Sequence, residues 1–99
     1  MPSFSIKSQR RLEKLGVPAA FMRGESLVLV GPMYEHRREP GTLIRLAFAH
    51  DEEQRICVGY ARHTDHGWEI VEVEPFSQRA LGYYQRRLKR VGERVTKTN

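Results

Sequence analysis

The sequence predicts an α+β domain: a four-stranded antiparallel sheet flanked by a short N-terminal helix and a longer basic C-terminal helix. Three observations carry that prediction. Apolar residues alternate with period two through the middle of the chain, short polar turns separate these runs, and a helical apolar spacing takes over after Pro75.

Taken in order, Ser5 or Ser8 caps a short helix that runs through Leu15, with Ile6, Leu12 and Leu15 along its apolar side. Gly16 follows as a C-cap and Pro18 forbids continuation. SLVLV (26–30) reads as a strand between Gly24 and Gly31-Pro32, and MYEHRREPG (33–41) as a charged loop closing in a turn. TLIRLAFAH (42–50) puts Ile44, Leu46 and Phe48 on one face and Leu43, Arg45, Ala47 and Ala49 on the other. An acidic turn, DEEQ (51–54), leads to RICVGYARH (55–63), and WEIVEVE (68–74) completes a meander. Ser77 then caps a helix to about Val95, whose apolar residues Leu81, Tyr84, Leu88, Val91 and Val95 recur at spacings of 3, 4, 3 and 4. Gly82 and Gly92 weaken this helix, so its last turn is expected to fray.

Ninety-nine residues make one domain over 1–99, with loose ends at 1–4 and 96–99. The single cysteine, Cys57, allows no intrachain disulfide and reads as a small buried filler. No apolar leader opens the chain and no apolar run is long enough to span a membrane, so a soluble, cytoplasmic protein is expected. A Gly-rich phosphate loop, a nucleophile–base pairing and a metal-ligand set are all missing from the sequence, which argues against a conventional metabolic enzyme and implies no cofactor.

The densest chemistry lies in ARHTDHGWEIVEVE (61–74). Pairing its strands around a Thr64-Asp65-His66-Gly67 loop sets His63 against Trp68, Arg62 against Glu69, Ala61 against Ile70, Tyr60 against Val71 and Val58 against Val73. His63 then sits on a strand end and His66 at the loop tip. They share no face with further ligands, so no metal is expected. Gly59 and Ala61, small residues in mid-strand, leave room for a helix or a ligand to approach the backbone.

Charge is unevenly distributed along the chain. Residues 1–76 carry ten Lys/Arg against eleven Asp/Glu; residues 77–99 carry seven against one. On the C-terminal helix Arg79, Tyr83, Arg86 and Arg90 form one stripe, which Arg87, Lys89 and Arg94 broaden. Guanidinium forks match phosphate oxygens and a tyrosine among them can stack on a base, so this stripe is the candidate nucleic-acid interface. The Glu35-His36-Arg37 segment holds acid/base and phosphate-binding side-chain types at a strand end, and equally reads as a charge-balanced solvated loop.

In the order of its elements the chain resembles the small RelE/BrnT-type ribonuclease toxins of bacterial toxin–antitoxin systems. The residues involved are KSQRRLEKLGVPAAF as an opening basic helix, the histidine-bearing YEHRRE, the paired RICVGYARH and WEIVEV, and SQRALGYYQRR. Before the last helix is well under way, only Arg79 matches that group's arginine-rich approach. The resemblance implies metal-independent RNA cleavage by 2′-hydroxyl attack. It makes His36 or His63 the acid/base, Arg62 and Arg79 phosphate clamps, and Tyr83 a stacking or proton-donating group.

Two function classes follow. In the leading one, a small prokaryotic or phage-type protein binds nucleic acid, RNA favoured, through Arg79, Tyr83, Arg86, Arg87, Arg90 and Arg94, with ribonuclease activity an option within it. In the other, a non-enzymatic phage or plasmid adaptor or inhibitor docks the same helix on an acidic protein. Neither involves a membrane, and in both the edge strands or the Trp68 face are free to pair copies of the chain into a homo-oligomer.

Overall fold

A computed structural model describes residues 3–16, 27–50 and 55–95 of the chain. The elements run β1 (Ser3–Phe4), α1 (Ile6–Lys14), β2 (Leu27–His36), β3 (Leu43–His50), β4 (Ile56–Thr64), β5 (Gly67–Pro75), α2 (Gln78–Val91) and β6 (Gly92–Arg94). The α+β class stands, and the central meander β2–β5 is antiparallel as expected. Among the described residues, however, the sheet has six strands rather than four, in the order β1-β5-β4-β3-β2-β6, and β1 pairs parallel to β5. Ser3 and Phe4, expected as part of a loose end, supply that edge, and Phe4 is buried. The expected stop at Pro18, the Gly24–Ser26 approach to the first strand and the turn at 51–54 lie outside the described residues, as do 1–2 and 96–99. No helix among the described residues is long and apolar enough to cross a membrane.

Period-two alternation gives the sheet two apolar faces. Tyr34, Ile44, Leu46 and Val58 pack against Ala80, Tyr84 and Leu88 of α2. Ala47, Ala49, Cys57, Ala61, Ile70 and Val73 form the opposite face with Phe4 and with Leu12 of α1. Cys57 is buried in that face, consistent with a packing role. The α1 helix buries Ser8 and Leu12, whereas Ile6 and Leu15 are exposed. The expected apolar side is therefore rotated, because the inward row follows the four-residue step from Ser8 to Leu12.

The hairpin register holds from His63↔Trp68 to Ala61↔Ile70 and then slips at a bulge, so that Tyr60 faces Glu72 and Val58 faces Glu74. Ile70-Val71 breaks the alternation of WEIVEVE. Without the bulge, Glu72 and Glu74 would continue on the buried face of Trp68 and Ile70; with it, Val73 takes that face and both acids turn toward α2. Gly59 is required here: a Cβ would stand 1.8 Å from the Glu72 carbonyl oxygen. The small residue makes room for the neighbouring strand, not for a helix or ligand. The turn itself is tighter than expected, since Thr64 pairs with Gly67, whose φ is 103°.

The strand expected at 26–30, β2, extends to His36 and takes in the start of the segment expected as a charged loop, of which 37–41 remain a turn. It carries an irregularity between Val30 and Tyr34, where Gly31 takes φ 77°. At its other end α2 stops at Val91. The fraying turn expected up to Val95 is instead β6, which pairs with β2 through Gly92↔His36 and Arg94↔Tyr34. Gly92 is buried, and its missing side chain lets the backbone pass Tyr34 and Ile44: a Cβ would lie 2.9 Å from Tyr34 Cβ.

Candidate nucleic-acid interface

Ser77 caps α2 by accepting a hydrogen bond from Ala80 N at 3.0 Å, which sets the phase of the helix. With Ala80, Tyr84 and Leu88 facing the sheet, Arg79, Tyr83, Arg86 and Arg90 fall in one exposed row along its flank. Among the described residues none of these three arginines has an ion-pair partner. Arg87 behaves differently. Its guanidinium donates to Glu72 Oε1 at 2.9 Å and to Tyr83 Oη at 3.1 Å, and lies 5.3 Å from the Tyr60 ring centre. Burial pulls its pKa down, but Tyr60, Glu72 and Tyr83 outweigh that and hold it above the ordinary value. Arg87 is thus a charged tie between helix and sheet. Arg94 lies on β6, exposed, and off the helix altogether.

The helix covers β2, β3 and β4 and leaves its own side of β5 open. Along that strip a groove of about 390 Å³ lies between α1 and β5, with Lys7, Arg10, Arg11 and Lys14 on its helical wall. It continues into a cleft of about 300 Å³ beneath the start of α2, where Arg79 and Tyr83 form the wall; Glu72, Glu74 and Tyr84 line both. Lys7 lies 3.8 Å from Glu72 and Arg11 3.4 Å from Glu74. Burial, reinforced by Glu74 and Glu72, pushes the Tyr84 hydroxyl well above its usual range, so it stays neutral. The first helix reads as basic, but its row was not placed in the site because charge was summed along the chain, where downstream acids cancel it. The spacing of Lys7, Arg11 and Lys14 on a predicted helix was the signal that could have found it.

The five residues to which the resemblance gives acid/base, phosphate or stacking roles, His36, Arg62, His63, Arg79 and Tyr83, line three different clefts. His36 closes β2, accepts a hydrogen bond from Arg38 N on Nδ1 at 3.1 Å, and stands 4.0 Å from Glu39. It opens on a cleft shared with Arg37, Arg38 and Arg90, so the histidine loop and the end of α2 do meet. Arg37 ties that cleft to the carbonyl end of α2, its guanidinium donating to Lys89 O at 3.5 Å and its backbone N–H to Val91 O at 2.9 Å. Arg62 and His63 line a second cleft beside Thr64 and Asp65. Arg62 lies 3.8 Å from Glu69, and His63 stacks edge-on against Trp68 with ring centres 5.3 Å apart. Tyr83 belongs to the groove of Glu72 and Glu74. His66 sits exposed in the turn, its backbone N–H donating to Thr64 Oγ1. Among the described residues no three His, Cys, Asp or Glu side chains converge as a metal site.

Fold and surface together define an α+β sheet protein with two basic helices bordering one strand. Compared with family models, curated proteins and solved structures, the chain matches none.

Proposed function

We propose that this chain binds nucleic acid, with RNA favoured, through the exposed row of α2. One observation carries the reading. The helix ties Arg87 to Glu72 and leaves Arg79, Arg86 and Arg90 in a row around exposed Tyr83 with no acidic ion-pair partner among the described residues. Neighbouring like charges repel one another, and phosphate oxygens relieve that repulsion with charge-assisted hydrogen bonds. The Tyr83 ring offers a stacking surface for an unpaired base, which favours RNA over a closed duplex. Binding, rather than cleavage, is the activity proposed, because the candidate proton-transfer groups stand in separate clefts.

The test is fluorescence anisotropy with a labelled single-stranded RNA across a salt series. Affinity should fall steeply with salt, and Arg79→Gln/Arg86→Gln/Arg90→Gln should flatten the log–log slope by about 2 and remove binding near physiological salt. Undiminished binding by the triple variant would sink the reading. Purification without nuclease separates the adaptor alternative: a clean protein spectrum and a co-purifying acidic protein would favour it.

A further inference from the structure

We propose that the groove between α1 and α2 is a two-walled cleft for a single strand of nucleic acid, backbone on the basic rims and bases turned toward the sheet. The proposal rests on the reading of α2 above and adds α1 to the same site.

The two cavities along β5 share Glu72, Glu74 and Tyr84, so they form one trough with α1 on one side and the start of α2 on the other. Its cations fall into two sets. Lys7, Arg11 and Arg87 are paired with Glu72 and Glu74. Arg10 and Lys14 on one rim and Arg79 on the other, with Arg86 farther along the same row of α2, have no acidic partner among the described residues. A polyanion meets free charge on both rims and carboxylates at the floor.

That arrangement orients the occupant. Carboxylates repel phosphate but accept N–H donors, so a backbone settles on the rims and base edges point inward. Adenine and cytosine offer an exocyclic amino group to a carboxylate, while uracil presents carbonyl oxygens on either side of its one N–H. Tyr83 supports the same orientation: Arg87 holds its hydroxyl and its ring meets Tyr84 edge-on at 5.1 Å, leaving an exposed face for stacking. A duplex keeps its base edges paired and away from the floor, so the occupant is a single strand. A groove of about 390 Å³ is at the scale of a small-molecule site, enough for a base or two.

Anisotropy on the full chain tests this with labelled oligo(C) and oligo(U) RNAs of about 12 nucleotides and a hairpin duplex closed by a non-nucleotide linker, in which every base edge is already paired. Arg10→Gln/Lys14→Gln should weaken oligo(C) binding on the order of tenfold, flatten its salt slope by about 1.4, and leave the hairpin little changed. Oligo(C) should bind several-fold more tightly than oligo(U), and Glu74→Gln should narrow that gap. Both rim residues are exposed and have no ion-pair partner among the described residues, so circular dichroism should report an unchanged fold. If the α2 triple variant loses binding while the α1 double variant keeps it, the second wall is overturned and the α2 reading survives. An equal loss on the hairpin, or no difference between oligo(C) and oligo(U), also overturns the cleft. If the unmodified chain binds none of the three probes, both readings fall together.

Discussion

The two helices are capped alike and attached by different physics. Ser5 caps α1 and Ser77 caps α2, each accepting from the backbone N–H three residues on. From there they diverge. α2 lays Ala80, Tyr84 and Leu88 across the middle of the sheet and is held by apolar area. α1 buries one leucine and one serine at the sheet edge, where Ser8 Oγ donates to Ile70 O at 2.7 Å and Ser5 N to the same oxygen at 2.9 Å. The edge helix depends on a few polar contacts, which are worth less individually than buried area. α2 should therefore open only with the whole sheet and α1 by a smaller, local unfolding.

Tyr84→Ala should break α2 and the fold together. Loss of a fully buried aromatic costs about 3–5 kcal/mol, read as a lower urea midpoint by both far-UV dichroism and tryptophan fluorescence. Leu12→Ala should cost about 2–3 kcal/mol, and its sharper readout is faster amide hydrogen exchange in α1 than in α2. Equal acceleration in both helices would show that α1 is not a separate unit. Ser8→Ala, which removes one of the two donors to Ile70 O, should cost about 1 kcal/mol by the same measurement. Tyr84→Phe should show the smallest effect at neutral pH and a difference in alkali. Burial raises the folded-state pKa of Tyr84 above its value near 10 in the unfolded chain, so the unfolded state loses its proton first. Stability is then complete below pH 10 and falls as pH rises beyond it. The phenylalanine variant should fall less steeply in urea midpoints taken from pH 8 to 11.

The same contrast explains what could be read from the sequence. α2 was legible because a long apolar face leaves a periodic trace, and Ser77 marked its start. The meander was legible for the matching reason, period two between polar turns. The edge strands were not, because two or three residues are too few to carry a period. The slip in β5 was also missed. Ile70-Val71 breaks alternation, but only the missing Cβ of Gly59, on a different strand, lets the bulge form. Of the site, the row on α2 could be read directly, whereas its neighbour across the groove could not. Lys7, Arg10, Arg11 and Lys14 are brought to β5 by contacts spanning most of the chain.

Those spans have a consequence for the order of folding. The central strands are neighbours in sequence, but β1 meets β5, and β6 meets β2, across roughly sixty residues of chain. Closing loops of that length costs entropy before any contact rewards it. The meander should form first and both margins last, so substitutions at Phe4 or Gly92 should speed unfolding and leave the refolding rate nearly unchanged. The α1 wall of the groove arrives with β1, which makes the proposed two-sided cleft one of the last features of this chain to assemble.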